Sequence, residues 1–172
     1  MSLKIRWSAT TAVLCACLAL VLAYGFVPLL TYTTAHAGLT VVPRARGIPP
    51  GLPGLRVAPL GATTWAWQLA ESFGALTLLA AAVLRVRRHV RRRPDSGRTR
   101  RLLAGWTALI AGAAVAGVWR GFVAARMVEA GFAGWVGYAV AGAVFGALWG
   151  VALGWLPGLA VLSTAARRAS VR

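Results

Sequence analysis

Arg85-Val-Arg-Arg-His-Val-Arg-Arg-Arg-Pro-Asp-Ser-Gly-Arg-Thr-Arg-Arg101 holds nine arginines in a short stretch, and the chain on either side of it is apolar. Thr64–Leu84 precedes this stretch and Leu102–Val123 follows it. Further out lie two more apolar runs, Trp7–Leu30 and Phe132–Leu162. Each run has the ~20 residues a helix needs to cross a hydrocarbon core about 30 Å thick. A bilayer interior offers no hydrogen-bond partners, so such spans must be helices that satisfy their own backbones. The fold class expected is all-α: a polytopic membrane protein with four transmembrane helices in a single membrane domain, 1–172.

Charge orients these spans. With the N-terminus in the cytoplasm, the inner side carries Lys4, Arg6, the nine arginines of the 85–101 loop, Arg167, Arg168 and Arg172. The outer side carries Arg44, Arg46, Arg56, Arg120 and Arg126. Fourteen against five follows the positive-inside rule, so both termini and the arginine-rich loop are expected to be cytoplasmic. Aromatic residues agree with this frame. Trp7, Trp106 and Trp155 fall at the inner interface; Tyr32, Trp65, Trp67, Trp119, Trp135 and Tyr138 fall at the outer one.

The chain is 59% hydrophobic and holds 19 basic residues against 3 acidic ones, with an isoelectric point near 12. In a soluble protein that imbalance would point to nucleic acid. Here the arginines lie where topology wants them, and the loop has no aromatic residue to stack on a base. Its expected partner is anionic lipid, through Arg87, Arg88, Arg91, Arg92 and Arg93, each attracted to headgroups by about 1 kcal/mol. Arginine in place of lysine, with abundant alanine and glycine, suggests a GC-rich genome and a bacterial cytoplasmic membrane.

The first run opens with basic residues and is followed by Ala35-His36-Ala37, which mimics a signal-peptide cleavage site. It runs well past the ~7–15 residues of a signal h-region, so it reads as an uncleaved anchor. Cys15 and Cys17, the only cysteines, point in different directions on a helix and read as small apolar fillers. The outer segment 31–63 holds Pro43, Pro49, Pro50, Pro53 and Pro59 among several glycines. That many breakers preclude a helix, and the segment reads as an irregular loop lying on the outer surface. His36 within it has no second ligand in sight. Pro94-Asp95-Ser96-Gly97 marks a tight turn, so the second helix should extend past the bilayer, turn and return as the third.

The last run has the most ordered pattern. Gly142, Gly146, Gly150, Gly154 and Gly158 recur every four residues and form a groove that winds around the helix. Such a groove lets a second backbone approach closely. Its mate is either the third span, which offers Gly105, Ala113, Gly117 and Gly121, or a second copy of the chain. Pro157 lacks an amide donor and should kink or end the helix near Leu153–Leu156.

Glu71 is the one acidic side chain within a span, and a charge at that depth marks a candidate site. Gln68 shares its face at the i,i+3 spacing. Arg120 sits ~28 Å above Arg101 and Glu71 ~21 Å above Arg85, at 1.5 Å per residue. Helical side chains lean toward their own N-terminus. On antiparallel helices the two therefore converge, and an ion pair is one expectation. The other is an unpaired Glu71 that exchanges protons, with Trp65 and Trp67 facing an organic cation. No grouping of nucleophiles, bases or metal ligands accompanies it, and no cofactor is expected. The expected function is a non-enzymatic accessory, assembly or self-associating subunit; the alternative is a small proton-coupled transporter or channel using Glu71.

Overall fold

Ser8 opens the first helix. Its Oγ accepts from the Thr11 amide at 3.1 Å, satisfying one of the donors every helix N-terminus leaves over. In the computed structural model, which describes residues 8–26, 32, 51–57, 64–93 and 97–169, the described chain is all-α. Its helices are α1 (Ala9–Gly25), α2 (Trp65–Arg92), α3 (Arg98–Met127), α4 (Phe132–Leu153) and α5 (Trp155–Ala169). The helices α2, α3 and α4 are each long and apolar enough to cross a membrane. The Ala35–Ala37 motif, His36, the Pro94–Ser96 turn and the chain termini lie outside the described residues.

α3 is the central element, with α2, α4 and α5 packed around it, while α1 lies against α2 and α5. Its buried faces are built from Ala104, Gly105, Ala108, Gly112, Ala113, Ala116, Gly117 and Gly121. Small side chains let backbones close in, as they must where lipid supplies no hydrophobic drive. All five glycines of the stripe at 142–158 are buried, and each faces α3 or its side chains. A Cβ on Gly142 would meet the Gly117 carbonyl, and one on Gly146 the Ala113 carbonyl. One on Gly150 would sit 2.5 Å from Ile110 Cα, and one on Gly158 2.9 Å from the Leu102 carbonyl. The groove is therefore filled from within the chain, by the third span, the first of the two mates the sequence offers.

The expected fourth span is two helices. Pro157 offers no amide to the Leu153 carbonyl, and the helix breaks at Gly154, one turn earlier. Trp106 on α3 closes part of the gap, its indole N–H donating to the Val151 carbonyl at 3.0 Å. The first run also differs from its expected extent. α1 has 17 residues, about 25 Å, and ends at Gly25 with Phe26 already extended. Another part of the chain packs against its last turn.

That part is Gly51–Val57. The loop was expected on the surface, yet Gly51, Leu52, Pro53 and Gly54 are all buried, with Leu52 only 3% exposed. The Leu55 amide donates to the Val21 carbonyl at 3.2 Å, so the segment caps the last turn of α1. A Cβ on Gly54 would lie 2.7 Å from the Tyr24 carbonyl, and one on Gly25 would strike the Leu55 carbonyl. Glycine at both positions is what lets two backbones touch. Gly51 itself has φ +78°, the left-handed region that side chains disfavour. Irregular backbone at this depth is tolerated where protein covers it, and here α1, α2 and α3 do.

Candidate functional site

Glu71 lies two turns into α2, and Arg120 lies two turns before the end of α3. Arg120 Nε donates to Glu71 Oε1 at 2.9 Å, and the two residues are 7% and 8% exposed. Arg120 Nη1 donates at 2.7 Å to the carbonyl of Gly51. One guanidinium thus bridges α2, α3 and the inserted segment. The contact point is seven residues inside the end of α3, about 10 Å deep at 1.5 Å per residue.

The surroundings of the pair are apolar and tightly set. Trp119 beside Arg120 donates its indole N–H to the Ala70 carbonyl at 2.9 Å and packs on Phe73 at 4.8 Å between ring centroids. Pro53 is fully buried near Gly74, where an added Cβ would lie 3.5 Å from Arg120 Cγ and 3.6 Å from Pro53 Cβ. These are ordinary contact distances. Gly74→Ala is accordingly expected to raise the unfolding free energy by about 1 kcal/mol, the helix-propensity gain of alanine over glycine. Thermal unfolding in mild detergent reads this directly.

Gln68 is buried on the same side of α2 but does not reach Glu71. Its amide nitrogen donates to the Arg56 carbonyl at 3.0 Å and to Ser72 Oγ at 3.3 Å. It therefore ties the far end of the inserted segment to α2, a role its spacing from Glu71 did not indicate. Tyr24 of α1 borders the segment at Gly51 and meets Trp149 of α4 edge to face, 5.8 Å between ring centroids. Of the two aromatic residues expected at a cation mouth, Trp65 is exposed and Trp67 only half-buried. Arg126 and Glu129 are exposed at the α3–α4 turn.

At the opposite end of the bundle, Arg87, Arg88, Arg91, Arg92 and Arg93 are all exposed. Cys15 is exposed on α1 and Cys17 buried, so the two point apart. Among the described residues, no group of three or more His, Cys, Asp or Glu side chains is placed to hold a metal ion. No protein-family model, curated protein or solved structure matches the chain.

Proposed function

We propose that this chain is a non-enzymatic accessory or assembly subunit of a bacterial cytoplasmic membrane. It crosses the bilayer four times, with α1 and its inserted cap forming the first crossing. Both termini and the arginine hairpin face the cytoplasm, as the charge distribution favours. One observation carries this reading: the only acidic side chain within the membrane spans is engaged by a guanidinium that also anchors Gly51–Gly54. A carboxylate used as a clamp is not available to exchange a proton for a substrate. The glycine stripe supports the same view, because it is spent on the α3–α4 contact rather than on a pore between copies. The face of α4 turned away from α3 carries Val136, Val140, Val144 and Leu148, all exposed, and is left for lipid or a neighbouring helix.

Reconstitution into proteoliposomes tests this. With an imposed pH gradient, the wild-type protein is expected to move no more of a lipophilic organic cation than empty vesicles do, and Glu71→Gln to behave alike. Gradient-driven uptake that disappears in a folded Glu71→Gln variant would overturn the proposal and establish a proton-coupled transporter.

A further inference from the structure

Gly51–Val57 has no helix or strand of its own, so no regular ladder of backbone hydrogen bonds holds it. It passes from the outside of the bundle to its core over a short length. Val57 is 96% exposed, whereas Leu52 is 3% exposed and Gly51, Pro53 and Gly54 are buried. Hydrogen bonds to three helices hold its backbone, in order from the exposed end. Gln68 of α2 donates to the Arg56 carbonyl at 3.0 Å. The Leu55 amide donates to the Val21 carbonyl of α1 at 3.2 Å. Arg120 of α3 donates to the Gly51 carbonyl at 2.7 Å.

The helices beneath hold one another without this segment. Arg120 uses two different nitrogens: Nη1 reaches the segment, while Nε stays on Glu71 at 2.9 Å. Trp119 ties α3 to α2 through the Ala70 carbonyl at 2.9 Å. Deeper down, a Cβ on Gly112 of α3 would lie 2.7 Å from the Leu78 carbonyl of α2. α1 keeps Val13 and Cys17 fully buried in the core. Departure of the segment would break its own bonds and uncover Leu52 and Pro53, but would break none of these contacts. A region joined to a fold in this way opens locally, at less than the free energy of global unfolding.

We infer that Gly51–Val57 is a releasable strap, which leaves its dock as one unit while α1, α2 and α3 stay packed. Gln68 is its outer latch and Arg120 its inner one. The open state uncovers Arg120 Nη1 and Gln68 Nε2, two donors set apart to receive the carbonyls of an extended backbone. The Glu71–Arg120 bond survives opening, and the strap does not depend on whether the chain moves a substrate.

Hydrogen exchange of the full chain in mild detergent, resolved to single amides, tests this. In the wild-type protein the Leu55 amide is expected to exchange at least about tenfold faster than the amides of Leu78 and Leu109, which are helical and fully buried. Gln68→Met removes the outer latch at similar size. It should speed Leu55 exchange by about threefold to tenfold more, the worth of one hydrogen bond, and leave Leu78 and Leu109 unchanged. Gly54→Ala loosens the strap from within, because its Cβ would lie 2.7 Å from the Tyr24 carbonyl, and should act in the same direction. Wild-type Leu55 exchanging in step with Leu78 and Leu109 overturns the inference without any variant. So does a Leu55 rate that neither substitution changes, or a substitution that speeds all three amides alike.

Discussion

Arg120→Leu is expected to lower the unfolding free energy by about 3–5 kcal/mol, the loss seen when one member of a buried ion pair is removed. The leucine strands the Glu71 carboxylate between helices and leaves the Gly51 carbonyl without its 2.7 Å donor. Both groups sit where water does not replace the lost bond, so each retains its desolvation penalty. Glu71→Gln should fall between this variant and the wild type. Its amide oxygen still accepts from Arg120 Nε, but the guanidinium charge is no longer balanced. The double variant Glu71→Leu/Arg120→Leu should be more stable than Arg120→Leu alone, because an apolar pair carries no unpaired charge. Additive losses in that cycle would show that the two side chains do not act together.

Gly150→Leu is the second large expected loss, about 3 kcal/mol, at the upper end of what overpacking a filled core costs. A Cβ there would lie 2.5 Å from Ile110 Cα and 3.0 Å from Ile110 N, both backbone atoms that a rotamer change does not move. Relief therefore requires α3 and α4 to separate along the stripe. Gly137→Leu is the control: it adds the same side chain to the same helix at a position with nothing within 4 Å, and should leave the protein unchanged. The readout is thermal unfolding of monodisperse protein. Loss of a dimer with an intact monomer fold would place the stripe between copies instead.

The helices and their packing were largely legible in the sequence, and the reasons are particular. Glycine at every fourth position from 142 to 158 has a mate in Gly117 and Ala113 because both sets suit close backbone contact. The break at Gly154 follows from a single proline with no amide. The meeting of Glu71 and Arg120 follows from counting depth along antiparallel helices and from the lean of their side chains.

What was not legible depends on distant docking. Prolines and glycines between 43 and 61 say that the segment is irregular, but not where it lies. Gly51-Leu-Pro-Gly-Leu55 held the available signal: apolar residues between glycines, suited to pressing backbone against backbone. Only the facing Gly25 and the Arg120 donor reveal why it is drawn inside. The same segment packs on the last turn of α1, and Gln68 serves it rather than Glu71.

Labelling with a hydrophobic carbodiimide, which attacks protonated carboxyls in apolar surroundings, tests the clamp most directly. Peptide mass spectrometry resolves Glu71 from Asp95, Glu129 and the C-terminus. A Glu71 held by Arg120 should stay unlabelled in the wild-type protein and become labelled in Arg120→Leu. Labelling of wild-type Glu71 as extensive as in Arg120→Leu would contradict the clamp and reveal a carboxyl free to work in the membrane.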